Sequence, residues 1–152
     1  PPVVGWASIT GTVSVDALIL FALIFIWTPP HFWALALVKN EDYQKANIPM
    51  LPVVAGRQET LRQIVIYSTA LALAGVAPYL VGMNSLVYGV MAAILGTTFL
   101  LFAIRLYKTA ADRQAWDLFK FSLFYLAALF GCLMLDKLFI QQLGLLRFIG
   151  IQ

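Results

Sequence analysis

The chain has 152 residues, 62% hydrophobic and 11% charged, with a mean hydropathy of +0.88 and a formal charge of +3. A soluble domain carries about 25% charged residues, so this composition excludes a soluble exterior and sets much of the surface against lipid. The basic residues sit in loops between apolar runs, which points to membrane orientation and away from nucleic acid. The single Cys132 excludes an internal disulfide and reads as a small hydrophobe packed in a helix.

The chain opens Pro-Pro without a methionine, and no charged segment precedes an apolar run and cleavage site of signal-peptide type. It therefore reads as a piece of a longer membrane protein. Pro1 to Val15 is expected as a loop or the end of a preceding helix, with Asp16 capping the next one. Ala17 to Val38 is the first span, roughly 22 residues and so long enough to cross a ~30 Å hydrocarbon core. Pro29 and Pro30 predict a kink near its end, where the freed carbonyls face protein or water.

Lys39 to Leu61 reads as a polar loop. Glu41 and Lys45 have the i,i+4 spacing of a short helix, and Ile48-Pro49-Met50-Leu51-Pro52 is expected extended because each proline disfavours helix before it. Such an apolar, non-helical segment suits the mouth of a helix bundle. Ile64 to Val81 is the second span, Gly82-Met83-Asn84-Ser85 a tight turn, and Leu86 to Leu106 the third span. Lys108 to Trp116 is a second polar loop, and Asp117 is placed to cap the fourth span, Leu118 to Leu135. Asp136-Lys137 mark its exit, ahead of a short tail containing Arg147. The expected fold is all-α: a polytopic transmembrane bundle with spans near 17–38, 64–81, 86–106 and 118–135 in one domain.

Lys39, Lys45, Arg57 and Arg62 in one loop, and Arg105, Lys108, Arg113 and Lys120 around the other, fall on one side of the bilayer. The opposite side has only Lys137 and Arg147. The positive-inside rule then makes loops 39–61 and 108–116 cytoplasmic.

Chemistry concentrates between Trp27 and Gly56. Asp42 and Glu41 beside Lys39 and Lys45 combine both signs of charge. Carboxylates suit Mg²⁺, which takes one or two of them plus substrate phosphate oxygens. The lysines with Arg57 or Arg62 can hold the remaining diphosphate charge. A polar head site above an apolar bundle is the geometry that a diphosphate with a hydrocarbon tail requires. By spacing alone, the same charges also read as an ordinary solvated loop. His31, the only histidine, can ligate iron or move a proton, or simply hydrogen-bond to a carbonyl freed by the prolines. Trp27, Trp33, Tyr43 and Trp116 read as interfacial aromatics, and Asp112 and Arg113 as a surface pair.

The run W-T-P-P-H-F-W-A-L-A-L, followed by E-D-Y and N-I-P-M-L-P-V-V, closely resembles the heme O synthases (protoheme IX farnesyltransferases) of the UbiA-type membrane prenyltransferases. PPVVGW at the start and AWDLFKFSLFYLAALF from Ala115 to Phe130 resemble the same family, so the resemblance covers nearly the whole chain. It implies one transmembrane domain of about nine helices around a central cavity. The implied reaction moves farnesyl from farnesyl diphosphate, with Mg²⁺, to a vinyl group of protoheme IX (heme B). The product, heme O, serves terminal oxidases, directly or through a heme A synthase. The first of two acidic motifs belongs to an N-terminal half that is missing here.

The second, degenerate motif falls on Lys39 to Lys45. The resemblance makes Asp42 the metal–diphosphate ligand, with Tyr43 and Lys45 beside it in the catalytic set. His31, Lys39, Glu41, Arg57 and Arg62 are substrate-binding candidates, His31 toward heme. Asn47 stands where many relatives have glycine, which bears on the local turn. The alternatives are a related prenyltransferase acting on a quinone or chlorin precursor, a respiratory-complex subunit or assembly factor without enzymatic activity, and a transporter. The spans lack the buried charges an ion path requires, which counts against the last. Because half the metal site is missing, the isolated chain is expected to be inactive.

Overall fold

The computed structural model describes residues 2–148, with side chains to Phe139. Its elements are seven helices: α1 (Pro2–Thr10), α2 (Val15–Val38), α3 (Asn40–Lys45), α4 (Leu51–Val54), α5 (Gly56–Leu80), α6 (Leu86–Thr109) and α7 (Asp112–Phe148). Among the described residues four stretches are long and apolar enough to cross a membrane: α2, α5, α6 and Asp112–Phe139 of α7. The protein is an integral membrane protein, and the all-α polytopic expectation holds.

The lead-in is helical over most of its length, as α1. Ser14, not Asp16, caps α2: Ser14 is extended at φ −88°, ψ 166°, and its Oγ accepts from the Ala17 amide at 3.3 Å. Asp16 lies inside the first turn, where its charge still suits the helix dipole. Pro29 and Pro30 do not break α2, which runs on to Val38. The prolines deprive the Phe25 and Ile26 carbonyls of their usual donors. Buried Leu20, Leu23, Ala34 and Leu37 on either side keep the helix packed against its neighbours.

α5 starts at Gly56, eight residues before the expected span, so Arg57, Glu59 and Arg62 lie on a helix and not in a loop. Thr60, Leu61, Ile64, Ser68, Leu71, Gly75 and Pro78 are its buried residues, spaced as one helical face. Hydropathy delimits the apolar part of such a helix, whereas its buried face begins earlier among charges. The second polar loop shrinks in the same way. Ala110, left-handed at φ 48°, ends α6, and α7 begins at Asp112. Asp117 is therefore inside α7 and caps nothing. The helix continues past Asp136-Lys137 to Phe148. The side chain of Arg147 lies outside the described residues.

The segment expected to be extended is so only to Met50 (φ −75°, ψ 154°). Leu51–Val54 then closes one helical turn, with the Val54 and Ala55 amides donating to Met50 and Leu51 carbonyls at 3.1 and 2.8 Å. Pro52 sits in that first turn, where a missing N–H costs no intrahelical bond. Asn47 adopts φ 53°, a left-handed conformation that glycine takes freely and asparagine tolerates.

α5 and α6 approach closely. A Cβ on Gly96 would stand 2.9 Å from Ala72 Cα, and one on Gly89 would stand 2.8 Å from the Tyr79 ring. Small residues at such contacts let helices pack where lipid removes the usual hydrophobic drive. Phe99, Tyr88, Tyr125, Leu118 and Leu129 fill the centre, while Phe25, Leu73, Ile94, Leu101 and Phe124 face outward.

Polar contacts fasten the helices at both ends of the bundle. At one end, Asp136 of α7 accepts from the Ser85 amide at 2.8 Å, from Asn84 Nδ2 at 2.9 Å and from the Ser85 hydroxyl. Ser85 itself caps α6 by accepting from the Val87 amide at 3.2 Å. At the other end, the two polar segments meet.

Candidate functional site

The C-terminus of α2, the short α3, the start of α5 and the α6–α7 junction converge on one polar cleft of about 270 Å³. Lys39, Asn40, Glu41, Asp42, Arg57 and Asp112 line it, with Leu37 and Val38 at its floor. The structure thus brings together four of the residues singled out in the sequence: Lys39, Glu41, Asp42 and Arg57. Tyr43 is half-buried on α3 and Lys45 exposed on its last turn, and neither lines the cleft. Glu41 and Lys45 share a short helix, as their spacing predicts, yet among the described residues they form no ion pair. Arg62 points elsewhere, pairing with Glu59 at 3.7 Å on the surface of α5.

Lys39 Nζ lies 3.3 Å from Asp42 Oδ2, an exposed i,i+3 pair. Such a pair contributes little to stability, so Asp42 is free to exchange it for another cation. Arg57 is more firmly held. Its Nε and Nη2 donate to the Ala110 carbonyl at 3.1 and 2.6 Å, and Nη2 also reaches Asp112 Oδ1 at 2.7 Å. Asp112 is therefore the partner of Arg57 and not of Arg113, and it belongs to the cleft. Sequence spacing could not show this, because the two residues meet only when the start of α5 is brought to the α6–α7 junction.

Asn40 is the other residue missed. Its Oδ1 is buried and has no hydrogen-bond partner, an unusual condition for a buried acceptor. The cleft therefore offers hard oxygen donors from Glu41, Asp42, Asp112 and Asn40, the type that Mg²⁺ takes. Among the described residues no three His, Cys, Asp or Glu side chains come together as a metal cluster. The cleft fits a metal held partly by other oxygens.

Two helical turns below Lys39 on α2, about 12 Å along the axis, His31 is buried between α2 and α7. Its imidazole is sandwiched between Trp27 (ring centroids 4.4 Å apart, 18° between planes) and Phe119 (4.8 Å, 22°). Trp116 continues the stack from Phe119 at 5.2 Å and 16°, with Lys120 Nζ 5.5 Å from its ring centroid. His31 Nδ1 lies 2.6 Å from Ser122 Oγ, and Trp27 Nε1 donates to the Ser122 carbonyl at 2.9 Å. The expected bond from His31 to a proline-freed carbonyl is not made. Trp27 is likewise a packed residue of the α2–α7 contact, not simply an interfacial one.

Residues 1–131 match the UbiA prenyltransferase family. The chain belongs to that family. It is 51% identical over 140 residues to a protein of Rhodopseudomonas palustris strain HaA2 named protoheme IX farnesyltransferase, covering 90% of this chain and 45% of that one. Proteins of the same name from Nitrosomonas eutropha (50% over 139 residues; 91% and 47% covered) and Bordetella avium (49% over 136; 90% and 46%) are similar to it as well. The chain spans about half the length of these curated relatives. No solved structure matches it. UbiA prenyltransferases generally use a divalent metal, which agrees with the oxygen donors of the cleft.

Proposed function

We propose that this UbiA chain forms the C-terminal part of a protoheme IX farnesyltransferase, which moves farnesyl from farnesyl diphosphate to a vinyl group of protoheme IX and yields heme O. The observation that carries the reading is the likeness, near half identity over nine-tenths of the chain, to curated relatives of that name. The polar cleft at the end of an apolar bundle supports it independently, because it matches an amphiphilic diphosphate in both polarity and placement.

In this reading the diphosphate sits at the cleft and the hydrocarbon tail lies among the helices. Asp42, with Asn40 or Glu41 near it, would hold Mg²⁺ together with diphosphate oxygens and acidic residues of the N-terminal half. The metal supplies charge neutralisation for the departing diphosphate. Arg57 is already oriented by Ala110 and Asp112, so its charge is in place before the substrate arrives, the condition under which electrostatic stabilisation is most effective. Lys39 shifts from Asp42 to the phosphate. Tyr43, Lys45 and Arg62 stand outside the cleft and act on the approaching diphosphate. The apolar bundle excludes water from the allylic cation until the vinyl group captures it; water then adds to the resulting porphyrin-side cation and loses a proton, leaving the hydroxyl of heme O, and His31 contacts the porphyrin.

The test is Asp42→Ala in the full-length protein, with heme O measured in extracted pigments. Loss of heme O is expected, and undiminished heme O would overturn the reading. A prenylated quinone or chlorin would move the acceptor assignment instead, and a protein without prenyl transfer activity would leave only a subunit or assembly role. The same reading places the cleft on the cytoplasmic face of a bacterial inner membrane. It is supported by Lys39, Lys45, Arg57, Arg62, Arg105, Lys108 and Arg113 gathered at that end. It hands heme O to a terminal oxidase or a heme A synthase, and it leaves the isolated chain inactive.

A further inference from the structure

The Ser122 hydroxyl makes two short contacts, 2.6 Å to His31 Nδ1 and 2.6 Å to the Phe119 carbonyl. A hydroxyl has one proton, and a carbonyl has none to give. If the Ser122 proton goes to Phe119, the hydrogen between Ser122 and His31 must come from Nδ1. The ring that results is protonated at Nδ1 and carries its lone pair on Nε2, which makes no hydrogen bond among the described residues. The Trp27 and Phe119 faces hold the imidazole plane, and the Trp27 N–H ties α2 to the backbone of Ser122 itself. Residue 122 thus meets α2 through both its side chain and its carbonyl.

We propose that Ser122 is a positioning residue: it sets His31 as the Nδ1–H tautomer and so keeps Nε2 open as an acceptor or iron ligand for the porphyrin substrate. The tautomer part stands on the hydrogen bonds alone, and the substrate part rests on the farnesyltransferase reading. The partner on one ring nitrogen decides which form the other takes, and such outer partners of ligating histidines commonly set affinity. A histidine buried only for packing would have both ring nitrogens paired, whereas Nε2 of His31 has no hydrogen-bond partner among the described residues.

The test uses the full-length protein in lipid bilayers, with ¹⁵N-labelled histidine and the His31 signals identified by their loss in His31→Asn. The wild-type ring is expected as Nδ1–H, Ser122→Ala as Nε2–H, and Ser122→Thr as wild type. A wild-type Nε2–H ring, or a tautomer unmoved in Ser122→Ala, would overturn the proposal. Heme titration followed by the Soret band reads the second part. Ser122→Ala should weaken heme binding about tenfold, with Ser122→Thr restoring it, while the KM for farnesyl diphosphate stays unchanged. A tautomer switched without any loss of heme affinity would overturn the substrate part. Wild-type protein with the expected tautomer but no heme O production would instead sink the farnesyltransferase reading and leave the tautomer assignment standing.

Discussion

Arg57 grips the carbonyl of Ala110, 53 residues away, from both Nε and Nη2 at 3.1 and 2.6 Å. Ala110 is the left-handed residue that ends α6, so its carbonyl has no helical donor of its own. With the added bond to Asp112, one side chain closes the junction between α6 and α7 and faces the polar cleft at the same time.

Arg57→Lys should therefore lose more than a charge-conserving change suggests. An ammonium is a point donor and cannot reproduce the fork. Because the site is partly exposed, the expected cost is about 1 kcal/mol, read as a lowered midpoint of thermal unfolding in detergent. The same substitution in the full-length protein should raise the KM for farnesyl diphosphate. Asp112→Asn is expected to share the loss of stability.

Asp42 predicts the opposite split. It is exposed, and its Lys39 pair contributes little, so Asp42→Asn should leave the unfolding midpoint within error of wild type. Prenyl transfer by the full-length protein should fall by about 100-fold or more, the scale of losing one preorganised charge partner. Rate measurement at saturating heme separates this from a folding defect.

Asp136 tests the far end. Its carboxylate accepts from the Asn84 side chain and from both the amide and hydroxyl of Ser85, so Asp136→Ala strands donors at the start of α6. A loss of about 1–3 kcal/mol is expected, with no change in substrate KM because the cleft lies at the opposite end of the helices. Denaturant unfolding in micelles, paired with steady-state kinetics, checks both halves.

Gly96→Val probes the α5–α6 contact. The space that even a Cβ would occupy is 2.9 Å from Ala72 Cα, a backbone atom that cannot rotate away. The helices must separate, at an expected cost of about 1–3 kcal/mol. Gly5→Ala, where nothing lies within 4 Å, is the control and should be neutral in the same unfolding assay.

Much of the fold was legible in the residues. The low charge and the apolar runs required a membrane bundle, since lipid tolerates only helices with their backbone bonds satisfied within each segment. The P-P-H-F and I-P-M-L-P-V segments and the order of spans carried the family. The grouping of Lys39, Glu41 and Asp42 was visible because all three fall within four consecutive residues. Helix ends were less legible. The starts of α5 and α7 lie in charged sequence, where hydropathy falls although the helix continues.

Tertiary structure alone decided the partners. Asp112 joined the cleft, Asn40 emerged as an orphaned acceptor, Asp136 became a clamp and Ser122 became the contact of His31. Each of these depends on which helices are neighbours and at what rotation. His31 and Ser122 stand 91 residues apart, and no local pattern encodes that meeting. Hydropathy fixes which segments enter the bilayer, whereas hydrogen bonds with lengths near 3 Å become possible only after packing has set the helices in register.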